Sequence, residues 1–157
     1  MTVLAHSESV VVDVDPGALY DLVSDVTRTG EWSPVCASCW WDEGDGPRAG
    51  AWFTGRNVTP HRTWDTRSQV VVADPAREFA WQVGGALVRW SFGLEAVPGG
   101  TRLTEAWEFL PGGLALFRER YAEEADDQIA DRSQAALSGI PVTLARIKEI
   151  AERELCV

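Results

Sequence analysis

A chain of 157 residues with 14 basic and 24 acidic side chains carries a net charge of −10. That field repels phosphate backbones and anionic bilayers, which argues against nucleic-acid binding and membrane insertion. With 45% hydrophobic and 24% charged residues, the composition is that of a globular protein, and the length suits one domain over 1–157.

The start, "MTVLAHSESVVVDV", lacks the charged segment and cleavage site of a signal peptide, and no apolar run approaches a membrane span. The expectation is a cytoplasmic protein with reduced cysteines. Eight tryptophans against two tyrosines and one methionine are the unusual feature. Such rings fill cores, but they also line pockets for flat or greasy molecules.

The first predicted element is a strand over about 2–13, "TVLAHSESVVVDV", rich in β-branched residues. Asp15-Pro16 then supplies an N-cap and a proline at the first helical position, and "PGALYDLV" follows with Leu19, Leu22 and Val23 on one stripe. A second short helix runs through "DVTRTGEW" and ends at Trp32. Next comes "EWSPVCASCWW", in which Cys36 and Cys39 have the spacing of a zinc knuckle or a redox dithiol. A structural zinc site needs four ligands, and Cys156, His6 and His61 are not paired at ligand spacing. In a regular strand Cys36 and Cys39 have opposite parity and point to different faces. The expectation is therefore no metal and no redox chemistry, with either Trp40 or Trp41 facing inward but not both.

From residue 36 to 110 the pattern is strands near 37–41, 50–58, 62–73, 77–84, 86–97 and 100–110. They are separated by turns such as "DEGDGPRAG", "DPARE" and "PGG", and the spacing implies a sequential antiparallel sheet. After Pro111-Gly112-Gly113 helical periodicity runs to the end through Phe117, Tyr121, Ala125, Ile129, Ala136, Ile140, Leu144, Ile147 and Ile150. Some forty residues of straight helix would reach roughly 60 Å, longer than such a domain is wide. A bend is expected, first at Gly139-Ile140-Pro141 and second near "AEEADD".

The order strand, two short helices, six strands, long helix is the helix-grip arrangement of the α+β class. In it a curved antiparallel sheet of about seven strands wraps around a long C-terminal helix. "DPGALYDLVSDVTRTGEWSP", "GAWFTGRN", "REFAWQV", "GGTRLTEAWEF" and "GIPVTLARIKEIAERE" resemble the SRPBCC superfamily over essentially the whole chain. Within it they look most like the actinobacterial polyketide cyclase/dehydrase-like branch, relatives of START and birch-pollen-allergen domains. The resemblance implies a cavity between the concave sheet face and the last helix. It does not settle chemistry, since the superfamily holds carriers, receptors and cyclases alike.

Strand parity predicts the lining. Leu103, Glu105, Trp107 and Phe109 share one face of their strand; Phe79, Trp81 and Val83 match them, as do Val88, Trp90, Phe92 and Leu94. Phe53 and Asn57 are placed inside. Trp32, Phe53, Arg56, Asn57, Trp64, Trp81, Trp90, Trp107, Phe109 and Tyr121 are the candidate ligand contacts. Glu105 is the sharpest residue, because a carboxylate on an apolar face needs a partner or a raised pKa. Arg56, Arg89 and Arg132 are the candidate partners, with Arg132 on the helix face that should cover the sheet. Glu105 with Arg132 is therefore the candidate acid/base pair, and equally a structural tie between helix and sheet. His6 reads as surface, and His61 as an exposed turn residue.

Three functions stay open: binding of a small hydrophobic molecule, aromatic, polyketide- or lipid-like; a cyclase/dehydratase using Glu105 with an arginine; and an interaction protein whose cavity is filled by its own tryptophans. No Ser-His-Asp arrangement, phosphate-binding loop or dinucleotide fingerprint is visible, so no cofactor is expected. Exposed edge strands and apolar rims are compatible with a homodimer.

Overall fold

The computed structural model describes residues 2–44 and 46–156. β1 (Ala5–Val12) is followed by α1 (Pro16–Val23) and a 3-10 segment (Val26–Glu31). The capping chemistry read from the sequence sets both starts. Asp15 Oδ1 accepts from the N–H groups of Gly17 at 3.0 Å and Ala18 at 3.1 Å, with Pro16 opening the helix. Asp25 does the same for Thr27 N–H at 3.1 Å.

Six strands follow: β2 (Cys36–Trp41), β3 (Trp52–Thr59), β4 (Arg62–Asp74), β5 (Glu78–Val83), β6 (Val88–Val97) and β7 (Gly100–Phe109). With β1 they form one antiparallel sheet in the order β1-β7-β6-β5-β4-β3-β2. Every hairpin pairs neighbours in sequence, and the first strand closes onto the last. The inward set on β7 is as parity dictates, with Leu103, Glu105, Trp107 and Phe109 all buried while Arg102 and Glu108 are exposed.

The C-terminal helical region is α2 (Pro111–Tyr121), a 3-10 turn (Ala122–Glu124) and α3 (Ala125–Leu155). α3 buries Ile129, Ala136, Ile140, Leu144, Ile147, Ile150 and Ala151 on one stripe. No helix among the described residues is long and apolar enough to cross a membrane.

α3 runs unbroken through Gly139-Ile140-Pro141, the first expected place, and the helical region is interrupted at the second, in "AEEADD". Pro141 lies on the exposed side of α3, so the backbone hydrogen bond it forfeits is given up away from the packed stripe. At the real break Ala122 adopts φ +49° and ψ −113°, a conformation that a Cβ disfavours. Ala122→Gly is therefore expected to stabilise the fold by about 1 kcal/mol, raising Tm by about 2–4 °C in thermal unfolding followed by circular dichroism.

Candidate functional site

Between the concave sheet face and α3 lies a hollow of about 660 Å³, within the usual range of small-molecule sites. The sequence of inward side chains builds it. β5, β6 and β7 give the floor, with Trp81, Trp90, Phe92, Glu105 and Trp107. β3 and β4 give a wall with Phe53, Asn57 and Trp64; Trp32 closes the short-helix end; Phe117 and Tyr121 come from α2; and Arg132, Ala136, Ile140 and Thr143 come from α3. A hollow of this size favours the binding and cyclase readings over the third, a cavity filled by the protein's own tryptophans.

Trp81 is the hub of the aromatic floor. Its ring lies 6.2 Å from Phe53, 5.6 Å from Phe79, 5.7 Å from Phe92, and 6.4 Å from Trp90, near-parallel at 13°. Trp90 continues to Trp107 at 6.5 Å, so cross-strand pairing turns three indoles into one contiguous surface.

Two expected contacts are corrected. Arg56 has the opposite parity to Phe53 and Asn57, so it projects outward; it grips Asp65 with two bonds of 3.0 and 3.1 Å and covers the exposed Trp40 ring. Phe109 is inward but lies under Phe117 at 5.1 Å as core, outside the lining of the hollow. Asn57 is at the wall, with its amide donating to Trp64 O at 3.3 Å and Thr66 Oγ1 at 3.2 Å, so it serves its own strand pair. Trp41 turns inward, edge-on to Phe53, while Trp40 does not.

Glu105 sits on the floor at 5% exposure, opposite Phe92 on β6 and Glu8 on β1. Its Oε1 has no hydrogen-bond partner among the described residues. Burial, and secondarily the Glu8 charge, push its pKa up to about 8. Among the described residues no arginine pairs with it, contrary to expectation, and the cause is clear. Arg56 is committed to Asp65, and Arg89, outward on β6, to Glu78 at 3.3 Å. Arg132 reaches the hollow but donates to Gln128 at 3.3 Å and lies over the Phe117 ring. Burial favours the neutral form of the acid, with no cation bonded to it among the described residues.

Sequence reasoning missed three things. His6 shares the inner face of β1 and bonds Glu8 at 2.9 Å, so the acid's neighbourhood is more polar than parity on β7 suggested. Arg62, stacked on Trp64 at 4.4 Å, and Arg120 also reach the hollow, with no acidic partner among the described residues. Finally, β2 carries a register shift between Cys36 and Ser38, so Cys36 and Cys39 both line the hollow. The parity argument that separated them is overturned, because an extra residue in a bulge reverses the alternation. Each thiol's neighbour across the bulge holds Cys36 below and Cys39 above the ordinary thiol value.

Residues 5–139 match the family model described as polyketide cyclase / dehydrase and lipid transport. The Polyketide_cyc-like protein Cgl2372 from Corynebacterium glutamicum is 49% identical, with 97% of this chain and 93% of that chain covered and a TM-score of 0.70. The fold is shared with the di-domain ARO/CYC StfQ of the steffimycin biosynthetic pathway, at 16% identity and TM-score 0.71, over 99% of this chain and 53% of that one. It is shared too with Ara h 8.0201, at 18% identity and TM-score 0.61, over 96% of this chain and 98% of that one. No curated protein matches the sequence. With the family model matched over most of the chain and the helix-grip sheet in place, the protein belongs to the polyketide cyclase/dehydrase and lipid transport family of the SRPBCC superfamily.

Proposed function

We propose that this protein binds a small hydrophobic molecule, aromatic, polyketide- or lipid-like, in the hollow between the sheet and α3. The observation that carries the reading is a hollow of about 660 Å³ floored by contiguous indoles. An apolar ligand there removes area from water at about 25 cal/mol per Å² with little side-chain ordering, because the rings are already packed. Arg62, Arg120 and Arg132 border the same space without an acidic partner among the described residues, which suits a ligand with an acidic or carbonyl end.

A second reading is favoured by Glu105: this family member is a cyclase/dehydratase. A carboxyl group kept neutral near pH 7 in an apolar floor can donate to a ligand carbonyl, and its ionised fraction can take a proton from the adjacent carbon. No arginine is bonded to Glu105 among the described residues, so any cationic help to the oxyanion would come from the arginines that border the hollow. StfQ, described as an ARO/CYC, shares the fold alone at its level of identity.

Titration of tryptophan fluorescence with fatty acids, the matching alcohols and polycyclic aromatics tests binding. A saturable one-to-one quench by at least one class is expected; no saturation by any of them overturns the reading. Turnover of a linear β-keto mimic, lost in Glu105→Gln while binding persists, would establish the second reading.

A further inference from the structure

The bulge in β2 has a chemical consequence. The register Cys36↔Asn57, Ser38↔Arg56, Cys39↔Gly55 leaves Ala37 as the extra residue, so the two cysteines lie two pairing steps apart on the inward face. Gly55 beneath them has no side chain; a methyl there would stand 3.2 Å from Cys36 Sγ and 3.9 Å from Cys39 Sγ. Both sulfurs thus occupy the space above one glycine, and the Cys36 thiol donates to Ser38 O at 3.3 Å. Both line the hollow. No cluster of three or more His, Cys, Asp or Glu suited to a metal exists among the described residues.

We propose that Cys36 and Cys39 form a paired-thiol site in the cavity wall for a thiophilic ion of low coordination number, trivalent arsenic or a soft monovalent or divalent d10 cation. Two pairing steps separate the Cα atoms by about 6.6 Å, the far end of the roughly 4.4–6.8 Å that a disulfide spans. A disulfide would have to draw the sulfurs to about 2 Å and tighten the bulge. A bridging ion at about 2.3 Å from each sulfur leaves them roughly 3.5–4.6 Å apart, a wider separation that asks less of the backbone. Zinc prefers four protein ligands in a structural site, and this wall offers two sulfurs; soft ions accept fewer.

Phenylarsine oxide is the probe. Two S–H bonds and the arsenic–oxygen bonds break, two As–S bonds form, and the oxygen leaves as water with both thiol protons; arsenic stays trivalent. The folded full chain is expected to take one phenylarsenic group by intact mass, unchanged in Cys156→Ser. Cys36→Ser and Cys39→Ser should each weaken uptake by about a hundredfold or more, since the second bond is intramolecular. Circular dichroism confirms that the variants fold. Displacement by copper(I) extends the site to soft cations, and its absence confines the site to trivalent arsenic; both support the paired thiols. Uptake that survives in either serine variant overturns the proposal. So does uptake only after denaturation, or ready closure to an internal disulfide by a small-molecule disulfide at equilibrium.

Discussion

Glu105→Gln is expected to stabilise the protein by about 0–2 kcal/mol at pH 7 and about 1–3 kcal/mol at pH 8, and to lose that advantage as the pH falls toward 4.5. The folded carboxyl has a pKa pushed up to about 8, against 4.5 for the free group. Between those values the folded state holds a proton that the unfolded state has released. Stability therefore decreases with rising pH across that window, by about 1.4 kcal/mol per unit, and the penalty is absent below 4.5 and complete above 8. At pH 7 it amounts to about 3 kcal/mol. The amide in Glu105→Gln has no ionised form, but its own buried N–H groups need partners, which takes back about 1–3 kcal/mol if none is found. Urea unfolding of both forms at several pH values reads the difference directly. Parallel stability curves would mean that the carboxyl is solvated, and the acid/base reading would go with the slope.

The same residue shows how far a sequence can be read. Alternation on β7 placed Glu105 among Leu103, Trp107 and Phe109, because a strand buried on one face has only two phases to choose from. Its missing arginine was not legible. Whether Arg56 meets Asp65 or Glu105 depends on which face it occupies and on cross-strand register, and Arg56↔Asp65 is a pairing of β3 with β4 that local pattern leaves undetermined. The order of elements was legible, since Asp15-Pro16, the glycine turns and the helical stripe are local signals. The β2 bulge was not: one extra residue at Ala37 reverses parity without any glycine or proline to mark it. Pro141 failed as a break signal for a related reason, because an exposed proline can surrender one hydrogen bond to water while the stripe from Ile129 to Ile150 holds the helix on the sheet.

Ile147→Ala and Trp81→Ala should separate stability from binding. Ile147 is fully buried on α3 and does not border the hollow, so its truncation opens a new void where the core has packed shut. A loss of about 2–5 kcal/mol is expected, with ligand affinity per folded molecule unchanged. Trp81 forfeits contacts with Phe53, Phe79, Trp90 and Phe92. It already faces open volume, however, so its removal widens an existing hollow and the void contribution is smaller. The expected cost is about 2–3 kcal/mol, below the usual range for a buried indole, with at least about a tenfold loss of affinity for aromatic ligands. Chemical denaturation and fluorescence titration on the same samples supply both numbers. If Trp81→Ala proved the more destabilising and left affinity intact, the indole floor would be core, and the hollow would owe its shape to packing alone.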